Sequence, residues 1–242
     1  MNAVIHRGTS VIDLGLVDYK EGWDYQTRLF NDILAIKAAN RDLPAVSQRQ
    51  TPNYLVLCEH PNVYTLGKSG NEKNLLMPLE QLTDINATYY PINRGGDITY
   101  HGPGQLVVYP VIDLENFFTD IHKYMRALEE AVIRTLNEFG IEGTRISGLT
   151  GVWLDPGNSP RKICAFGVKT SRWVTMHGLA LNVNTDLDYF KNIVACGIDD
   201  KDKGVTSMEK ELCRTVDMSS VKSIIKNKIV SLFEMKLEEP VA

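Results

Sequence analysis

One long amphipathic helix separates two groups of short β-type segments, and this order constrains the fold more than any other feature of the chain. From Asp120 to Phe139, apolar residues recur at spacings of three and four, which places them on one helix face. Asp120 can cap the first turn, and Gly140 suits a left-handed exit from the last. Two further helices are predicted, over 18–40 and over about 219–236.

The β-type segments are short and apolar, and they are grouped between the helices rather than alternating with them one by one. They cover 54–58, 87–93, 105–111, 150–154, 162–168 and 174–183. The order helix, strands, helix, strands, helix lacks regular βαβ units. We therefore predict one α+β domain over 1–242, with a mixed, largely antiparallel sheet packed with helices.

Composition and charge exclude several classes of protein. Of the 242 residues, 43% are hydrophobic and 23% are charged, which is typical of a folded globular chain. The net charge of −4 argues against nucleic acid as the main partner. No run approaches the roughly 18 apolar residues of a membrane helix. The first residues resemble no secretory or mitochondrial leader, so we expect a cytoplasmic protein without a membrane partner.

The four cysteines are Cys58, Cys164, Cys196 and Cys213, and no two of them form a CxxC pair. Their wide spacing is typical neither of a disulfide framework nor of a zinc site. We expect free thiols and no metal.

A glycine-rich segment lies between two predicted strands and gathers polar residues. It contains Arg94-Gly95-Gly96-Asp97 and His101-Gly102-Pro103-Gly104, with Thr99 and Tyr100 between them. It matches neither a dinucleotide fingerprint nor a phosphate loop. Two interpretations remain open: a pair of tight turns, or a loop whose backbone approaches a ligand and binds a carbonyl oxygen or an oxyanion.

Two further segments carry reactive side chains. On a strand over 162–168, Lys162, Cys164 and Phe166 would share one face. Cys196 lies beside a glycine after an apolar run, and a thiol reacts as thiolate only when a positive neighbour lowers its pKa. Lys162 can supply that charge. Two alternatives remain. The cysteine can be a core residue and the lysine can reach solvent. The chain can also be a Cys–His hydrolase that uses His60, His101, His122 or His177.

These segments together resemble the lipoyl(octanoyl) transferase family, the octanoyl-[acyl-carrier-protein]:protein N-octanoyltransferases of lipoate biosynthesis. The run from Arg94 to Leu106 is similar to the family signature, and so are Lys162 to Gly167, Ser171 to Thr175 and His177 to Val183. Cys196 falls where the family keeps its nucleophile, although Ala195 replaces the proline that commonly precedes it. The similarity covers about 20–215.

The resemblance implies the fold of the biotin and lipoyl protein ligases and a two-step acyl transfer. An octanoyl group would pass from octanoyl-acyl carrier protein to Cys196 as a thioester, with Lys162 lowering the thiol pKa and managing protons. It would then pass to a lysine of the lipoyl domains of 2-oxoacid dehydrogenase complexes and of the glycine cleavage H protein. The implied acyl-binding residues are Arg94, Gly95, Gly96, Asp97, Ile98, Thr99, Tyr100, His101, Ala165, Phe166, Gly167, Gly178, Leu179 and Ala180.

This reaction starts from an activated thioester, so the resemblance implies no cofactor. The alternatives on the same fold are an ATP-dependent lipoate or biotin ligase, a non-catalytic module that binds acyl carrier protein, and a thioesterase. A Cys196-dependent acyl-enzyme separates the transferase from the ligase and from the binding module. A lipoyl domain that redirects the acyl group to lysine separates it from the thioesterase.

Overall fold

A computed structural model describes residues 6–194 and 203–238. Its helices are α1 (Tyr19–Asn40), α2 (Ile121–Asn137), α3 (Met208–Leu212) and α4 (Met218–Phe233). Cys196 and Ala195, both singled out by the family resemblance, lie outside the described residues.

The described strands form a large sheet of nine strands and a small sheet of three. They are β1 (Gly8–Leu16), β2 (Asn53–Glu59), β3 (Val63–Leu66), β4 (Thr88–Pro91), β5 (Ile98–His101), β6 (Gln105–Val111), β7 (Thr144–Ile146), β8 (Leu149–Leu154), β9 (Arg161–Ser171), β10 (Val174–Asn182), β11 (Gly204–Val205) and β12 (Lys236–Glu238). The large sheet has the order β12-β1-β2-β6-β10-β9-β8-β7, with β11 paired to β9, and the small sheet has the order β4-β3-β5.

Most neighbouring strands of the large sheet run antiparallel. The exceptions are β1, which is parallel to both β2 and β12, and β11, which is parallel to β9. In the small sheet, β3 is parallel to β4 and antiparallel to β5. The prediction of an α+β fold with a mixed, largely antiparallel sheet is confirmed.

Helices cover both faces of the large sheet because each presents an apolar side to it. Leu29, Phe30 and Ile33 of α1 pack on one face, with strand residues such as Val107. The other face carries the larger core, to which α2 and α4 contribute buried aliphatic and aromatic side chains. Transferring this apolar surface from water is what holds the layers together.

The predicted helix ends agree closely with the structure. The Asp120 side chain accepts a hydrogen bond from the backbone N–H of Lys123 at 2.9 Å, and Gly140 has a φ of +77°. The last helix ends at Phe233, three residues earlier than predicted, because Glu234 takes the left-handed conformation that caps it. Among the described helices, none has the length and apolarity that crossing a membrane requires.

The small sheet has its own core and holds the glycine-rich segment against the large sheet. Tyr64, Ile98 and Tyr100 are buried in that core. The backbone N–H of Gly95 donates to the carbonyl oxygen of Val168 on β9 at 2.9 Å. This hydrogen bond joins the two sheets at the position of the glycine-rich segment.

Candidate active site

A cavity of about 430 Å³ lies between the glycine-rich segment and the large sheet. Its volume falls in the range of about 300–1,000 Å³ that is typical of small-molecule sites. Its floor is formed by β6, β9 and β10, and Tyr19 of α1 contributes to the wall. Among the described residues, no group of three acidic, histidine or cysteine side chains is placed to hold a metal ion.

The cavity gathers nearly all the residues that the family resemblance implies for acyl binding. Lys162 lines it together with Arg94, Gly95, Gly96, Asp97, Ile98, Thr99, His101, Ala165, Phe166, Gly167, Gly178, Leu179 and Ala180. Three segments distant in sequence therefore form one site. The role of each residue in binding an acyl group stays a prediction.

Tyr100 does not belong to the cavity lining. Tyr100 is fully buried in the core of the small sheet, whereas its neighbours Thr99 and His101 line the cavity. Its hydroxyl donates to Asn62 Oδ1 at 2.8 Å, and its ring stacks on Tyr189 with the centroids 4.8 Å apart. The contacts of Tyr100 therefore belong to the core of the small sheet.

Gly167 lets the glycine-rich segment lie directly on β9. A Cβ atom at Gly167 would stand 2.9 Å from Arg94 Cδ and 3.0 Å from the carbonyl oxygen of Gly95. The Arg94 guanidinium is buried and binds the segment to β3, since Nη2 donates to the Thr65 carbonyl at 2.7 Å and to Thr65 Oγ1 at 3.0 Å. The backbone approach that glycine permits is therefore used at the cavity wall.

The carboxylate of Asp97 accepts hydrogen bonds from its own loop and from the segment that follows β3. Oδ1 accepts from the backbone N–H groups of Ile98 at 2.6 Å and Asn71 at 3.1 Å, and the amide of Asn74 donates to Oδ2. Asp97 therefore shapes the loop. These neutral donors occupy both of its carboxylate oxygens.

A β-bulge determines which side chains of β9 face the cavity. Val152 of β8 pairs with Cys164, but the next residue, Trp153, pairs with Lys162, so Ile163 is an extra residue in β9. The bulge reverses the alternation, and Lys162 lines the cavity together with Ala165. Cys164 is instead buried in the core that α2 and α4 share with the sheet.

The prediction that Lys162 and Cys164 share a strand face is therefore wrong, because it assumed unbroken alternation. Burial raises the pKa of the Cys164 thiol well above its usual value, and Glu129 adds to this effect. A thiol in this state is a poor nucleophile.

Two buried histidines line the cavity as neutral rings. The pKa of His101 and of His177 is lowered to about 3, mainly by burial, and the positive charge of Arg94 contributes to both shifts. His101 Nδ1 lies 2.7 Å from Gln105 Oε1, and His177 Nε2 lies 3.0 Å from Asn93 Oδ1. They contribute hydrogen-bonding groups and apolar surface to the cavity near neutral pH.

His60 and His122, the other two candidate histidines, give no support to a Cys–His hydrolase. His60 Nε2 lies 3.5 Å from Cys58 Sγ, but burial raises the pKa of that thiol far above its usual value. His60 Nε2 also lies 2.8 Å from the Tyr109 hydroxyl, within a buried aromatic group. His122 is exposed on α2, as expected for a residue that opens a surface helix.

A chain of buried amides links the two sides of the cavity and was missed by the sequence analysis. Gln105 Nε2 donates to Asn182 Oδ1 at 2.9 Å, and Asn182 Nδ2 donates to the carbonyl oxygen of Thr206 at 3.0 Å. The backbone N–H of Thr206 in turn donates to the carbonyl oxygen of Lys162 at 3.0 Å. Polar residues inside apolar strands were the available signal, since a buried amide needs partners.

The described residues on either side of 195–202 also reach this cavity. Phe190 and Val205 both line it. The backbone N–H of Val194 donates to the Asn74 carbonyl at 2.8 Å, and Gly204 pairs with Arg161 of β9. The chain therefore meets the site on both sides of the segment that contains Cys196.

Comparison with known families identifies this arrangement. Residues 18–230 match the family described as the lipoyl protein ligase A/B catalytic domain. The chain belongs to this family. The resemblance read from the glycine-rich segment and the lysine strand is therefore confirmed.

Relatives in this family are similar over nearly their whole length. The octanoyltransferase of Cytophaga hutchinsonii is 59% identical over 240 residues, covering 97% of this chain and 98% of the relative. The octanoyltransferase of Bacteroides thetaiotaomicron is 48% identical over 233 residues, covering 96% and 98%.

Solved structures of the family share the fold at low identity. The lipoate protein ligase of a bipartite archaeal lipoylation system from Thermoplasma acidophilum matches with a TM-score of 0.69 at 16% identity, covering 98% of this chain and 88% of that one. A lipoate-protein ligase A bound with ATP matches with a TM-score of 0.68 at 14% identity, covering 98% and 89%. These structures show the fold of the lipoyl protein ligases and support the fold prediction.

Proposed function

We propose that this protein is an octanoyltransferase of protein lipoylation. It would carry the octanoyl group from octanoyl-acyl carrier protein through a Cys196 thioester to a specific lysine of lipoyl domains. The observation that carries the proposal is the convergence of the glycine-rich segment, Lys162 and the β10 residues on one cavity. Relatives that are 47–59% identical and named octanoyltransferase support the same activity.

In the first step, the Cys196 thiolate attacks the carbonyl carbon of the donor thioester. The tetrahedral intermediate collapses with loss of the carrier's thiolate, which takes a proton from the Lys162 ammonium. Cys196 is then acylated, Lys162 is neutral, and the carrier leaves as a free thiol. A thioester is already activated toward a thiolate, so this step consumes no ATP.

In the second step, the neutral amine of the acceptor lysine attacks the Cys196 thioester. Lys162 removes one proton from the attacking nitrogen, the amide forms, and the Cys196 thiolate leaves. The ammonium–thiolate pair is thereby restored. One lysine thus acts first as a general acid and then as a general base, without any net uptake of protons.

The cavity supplies an apolar surface for the acyl chain and a restricted set of donors for the oxyanion. Ile98, Phe166 and Leu179 are among its apolar lining residues. The N–H groups of Gly95 and Ile98 are already bonded, to the Val168 carbonyl and to Asp97 Oδ1. The donors to the oxyanion must therefore come from other groups around the reacting carbonyl.

Partner binding is proposed from charge. Acyl carrier proteins are acidic, and interfaces between proteins favour complementary charge. Lys68 and Lys73 are exposed next to the glycine-rich segment, where the backbone N–H of Lys68 donates to the Arg94 carbonyl. Other basic candidates near the site are less suitable, since Arg161 is paired with Glu211 and Lys191 with Asp188.

Intact-protein mass spectrometry after mixing with octanoyl-acyl carrier protein tests the proposal. Wild type should gain one octanoyl group, Cys196→Ala should gain none, and Cys164→Ala should behave as wild type because that thiol lies in the core. Added lipoyl domain should then receive the group on lysine. Each variant makes the same change, the loss of one cysteine thiol, at a different position, so each controls for the other.

Three other outcomes would overturn the proposal. An adduct lost only in Cys164→Ala would move the nucleophile. An acyl-enzyme that discharges to water, with the lipoyl domain unmodified, would indicate a thioesterase. Absence of an adduct, together with lipoyl-domain octanoylation from octanoate and ATP, would indicate a ligase.

A further inference from the structure

We propose that Trp153 is a positioning residue for Lys162: its indole ring holds the ammonium group in place and favours its charged form. This inference rests on the role of Lys162 in the proposed function. Lys162 Nζ lies over the Trp153 ring, 4.7 Å from its centroid. An ammonium within about 6 Å of an indole face is attracted by the negative face of the ring.

The β-bulge creates this contact. In a regular ladder Trp153 would pair with Ile163, but the extra residue of β9 places it directly opposite Lys162. Paired residues of neighbouring strands have adjacent side chains on one sheet face. The same bulge that directs Lys162 into the cavity therefore also sets the indole beside it.

Gly151 leaves the space that the lysine stem occupies. Its φ is +134°, and a Cβ atom there would stand 3.2 Å from Trp153 Nε1 and 3.3 Å from Lys162 Cε. Its backbone N–H donates to the buried carboxylate of Glu129 at 3.2 Å. Glu129 also accepts from Arg145 at 3.0 Å, so α2 fixes the strand segment behind the lysine.

Hydrogen bonding does not explain why a tryptophan stands at position 153. Trp153 is fully buried, and its Nε1–H has no acceptor within the described part of the chain. A buried N–H without a partner is costly, so a ring of similar shape without the donor would pack better. What the indole supplies, and an aliphatic side chain does not, is the strongest cation-binding face among the natural side chains.

Other ionisable groups surround the lysine on every side. Cys164 lies on its own strand, and Glu129 on α2 lies behind Gly151. The ion pair of Arg161 and Glu211 lies beside β11. Across the cavity are Arg94, Asp97, Tyr19, Tyr109 and the two neutral histidines, His101 and His177. Trp153 differs from all of them because it stabilises the ammonium without titrating.

The acylation step provides a specific readout. In a plot of the acylation rate against pH, the fall at alkaline pH (the alkaline limb) reports loss of the Lys162 proton, because the ammonium must protonate the leaving thiolate. Weakening the ring face should lower the pKa of that limb, by about 0.4 to 1.5 units for complete loss of the interaction. The acid limb, which reports Cys196 ionisation next to a charged lysine, should stay in place.

The experiment uses fluorinated tryptophans, which weaken the ring face with little change in shape. Trp23 and Trp173 are the other tryptophans of the chain, so the analogues are incorporated into the Trp23→Phe/Trp173→Phe protein. The rate of acyl-enzyme formation is measured against pH in single turnovers. Each added fluorine should move the alkaline limb further down, while the midpoint of thermal unfolding changes little.

Point variants provide the comparison. Trp153→Leu should show the full shift, Trp153→Phe a smaller one, and Trp173→Phe, on an exposed hairpin, none. A lower rate at all pH values with a fixed alkaline limb would indicate a merely structural role and overturn the inference. The fluorinated series decides the question even if Trp153→Leu fails to fold.

Lys162→Met separates this inference from the proposed function. If Lys162→Met acylates at the wild-type rate, the lysine has no role in the step and both proposals for it fail. If Lys162→Met is inactive while fluorination leaves the alkaline limb unmoved, the catalytic role of the lysine stands and only the role of Trp153 is refuted.

Discussion

Replacing Gly167 by alanine tests whether the glycine-rich segment must lie against β9. The added methyl group would meet Arg94 Cδ at 2.9 Å and the Gly95 carbonyl oxygen at 3.0 Å, both shorter than ordinary contacts. The arginine side chain can adjust, but the Gly95 oxygen is backbone. The whole segment must therefore move outward by a few tenths of an ångström, which strains the hydrogen bond from Gly95 to Val168.

The expected cost follows from that geometry. Overpacking by one methyl group costs about 1–3 kcal/mol, and the strained hydrogen bond contributes at most about 1 kcal/mol of this. If the displaced segment must return for each turnover, the same energy lowers kcat/KM for the octanoyl donor by about 5- to 150-fold. If the segment stays displaced, the free energy of unfolding falls by a similar amount.

The assay is octanoyl transfer to a lipoyl domain over a range of donor concentrations, with urea unfolding measured in parallel. Gly157→Ala is the matched control, because a Cβ at that glycine has no heavy atom within 4 Å. Wild-type kinetics and stability in Gly167→Ala would show that the segment does not need this close approach. An equal loss in Gly157→Ala would show that the effect is not local.

Two more perturbations address charge. The pKa of His101 and of His177 is about 3 in the folded protein and near 6.5 in the unfolded chain. The free energy of unfolding should therefore be constant above about pH 6.5 and decline as the pH falls toward 3, by about 1.4 kcal/mol per pH unit for each ring. Urea unfolding between pH 7 and 5 measures this, and a flat profile would mean that the rings are not buried as neutral groups. Replacing Lys68 and Lys73 by glutamate should raise KM severalfold for carrier-bound octanoate but not for a small octanoyl thioester. The control Lys236→Glu, on the distant edge strand, should change neither KM. Equal effects of the lysine reversals on both donors would contradict a docking role.

The elements predicted from the sequence are those whose signal is local. The helix from Ile121 to Asn137 carries its apolar periodicity within the segment, and its cap at Asp120 and its glycine exit at Gly140 lie within three residues of its ends. Strands β3 and β5 have only four residues each and are stabilised by pairing with one another across more than thirty positions of the chain. A contact of that kind leaves no periodic trace in the sequence, so these strands were missed.

The site shows the same division between local and non-local information. The glycine-rich segment and the lysine strand were recognised from their residues, and both line the cavity. The orientation of Cys164 was not predicted correctly, because the extra residue in β9 arises from the way β8 pairs with β9. The amide pair of Gln105 and Asn182 likewise acquires its meaning only when β6 and β10 lie side by side.

The hydrogen bonds of Gln105 also decide the tautomer of His101. Gln105 Nε2 faces the carbonyl oxygen of Tyr100 at 3.1 Å, and a carbonyl can only accept, so the amide oxygen must be the atom that faces His101 Nδ1. The neutral imidazole therefore carries its hydrogen on Nδ1 and a lone pair on Nε2. At Nε2 this ring can accept a hydrogen bond from an N–H, O–H or S–H group but cannot donate one to a carbonyl oxygen, so the amide of Gln105 sets the polarity of His101 through the position of a single proton.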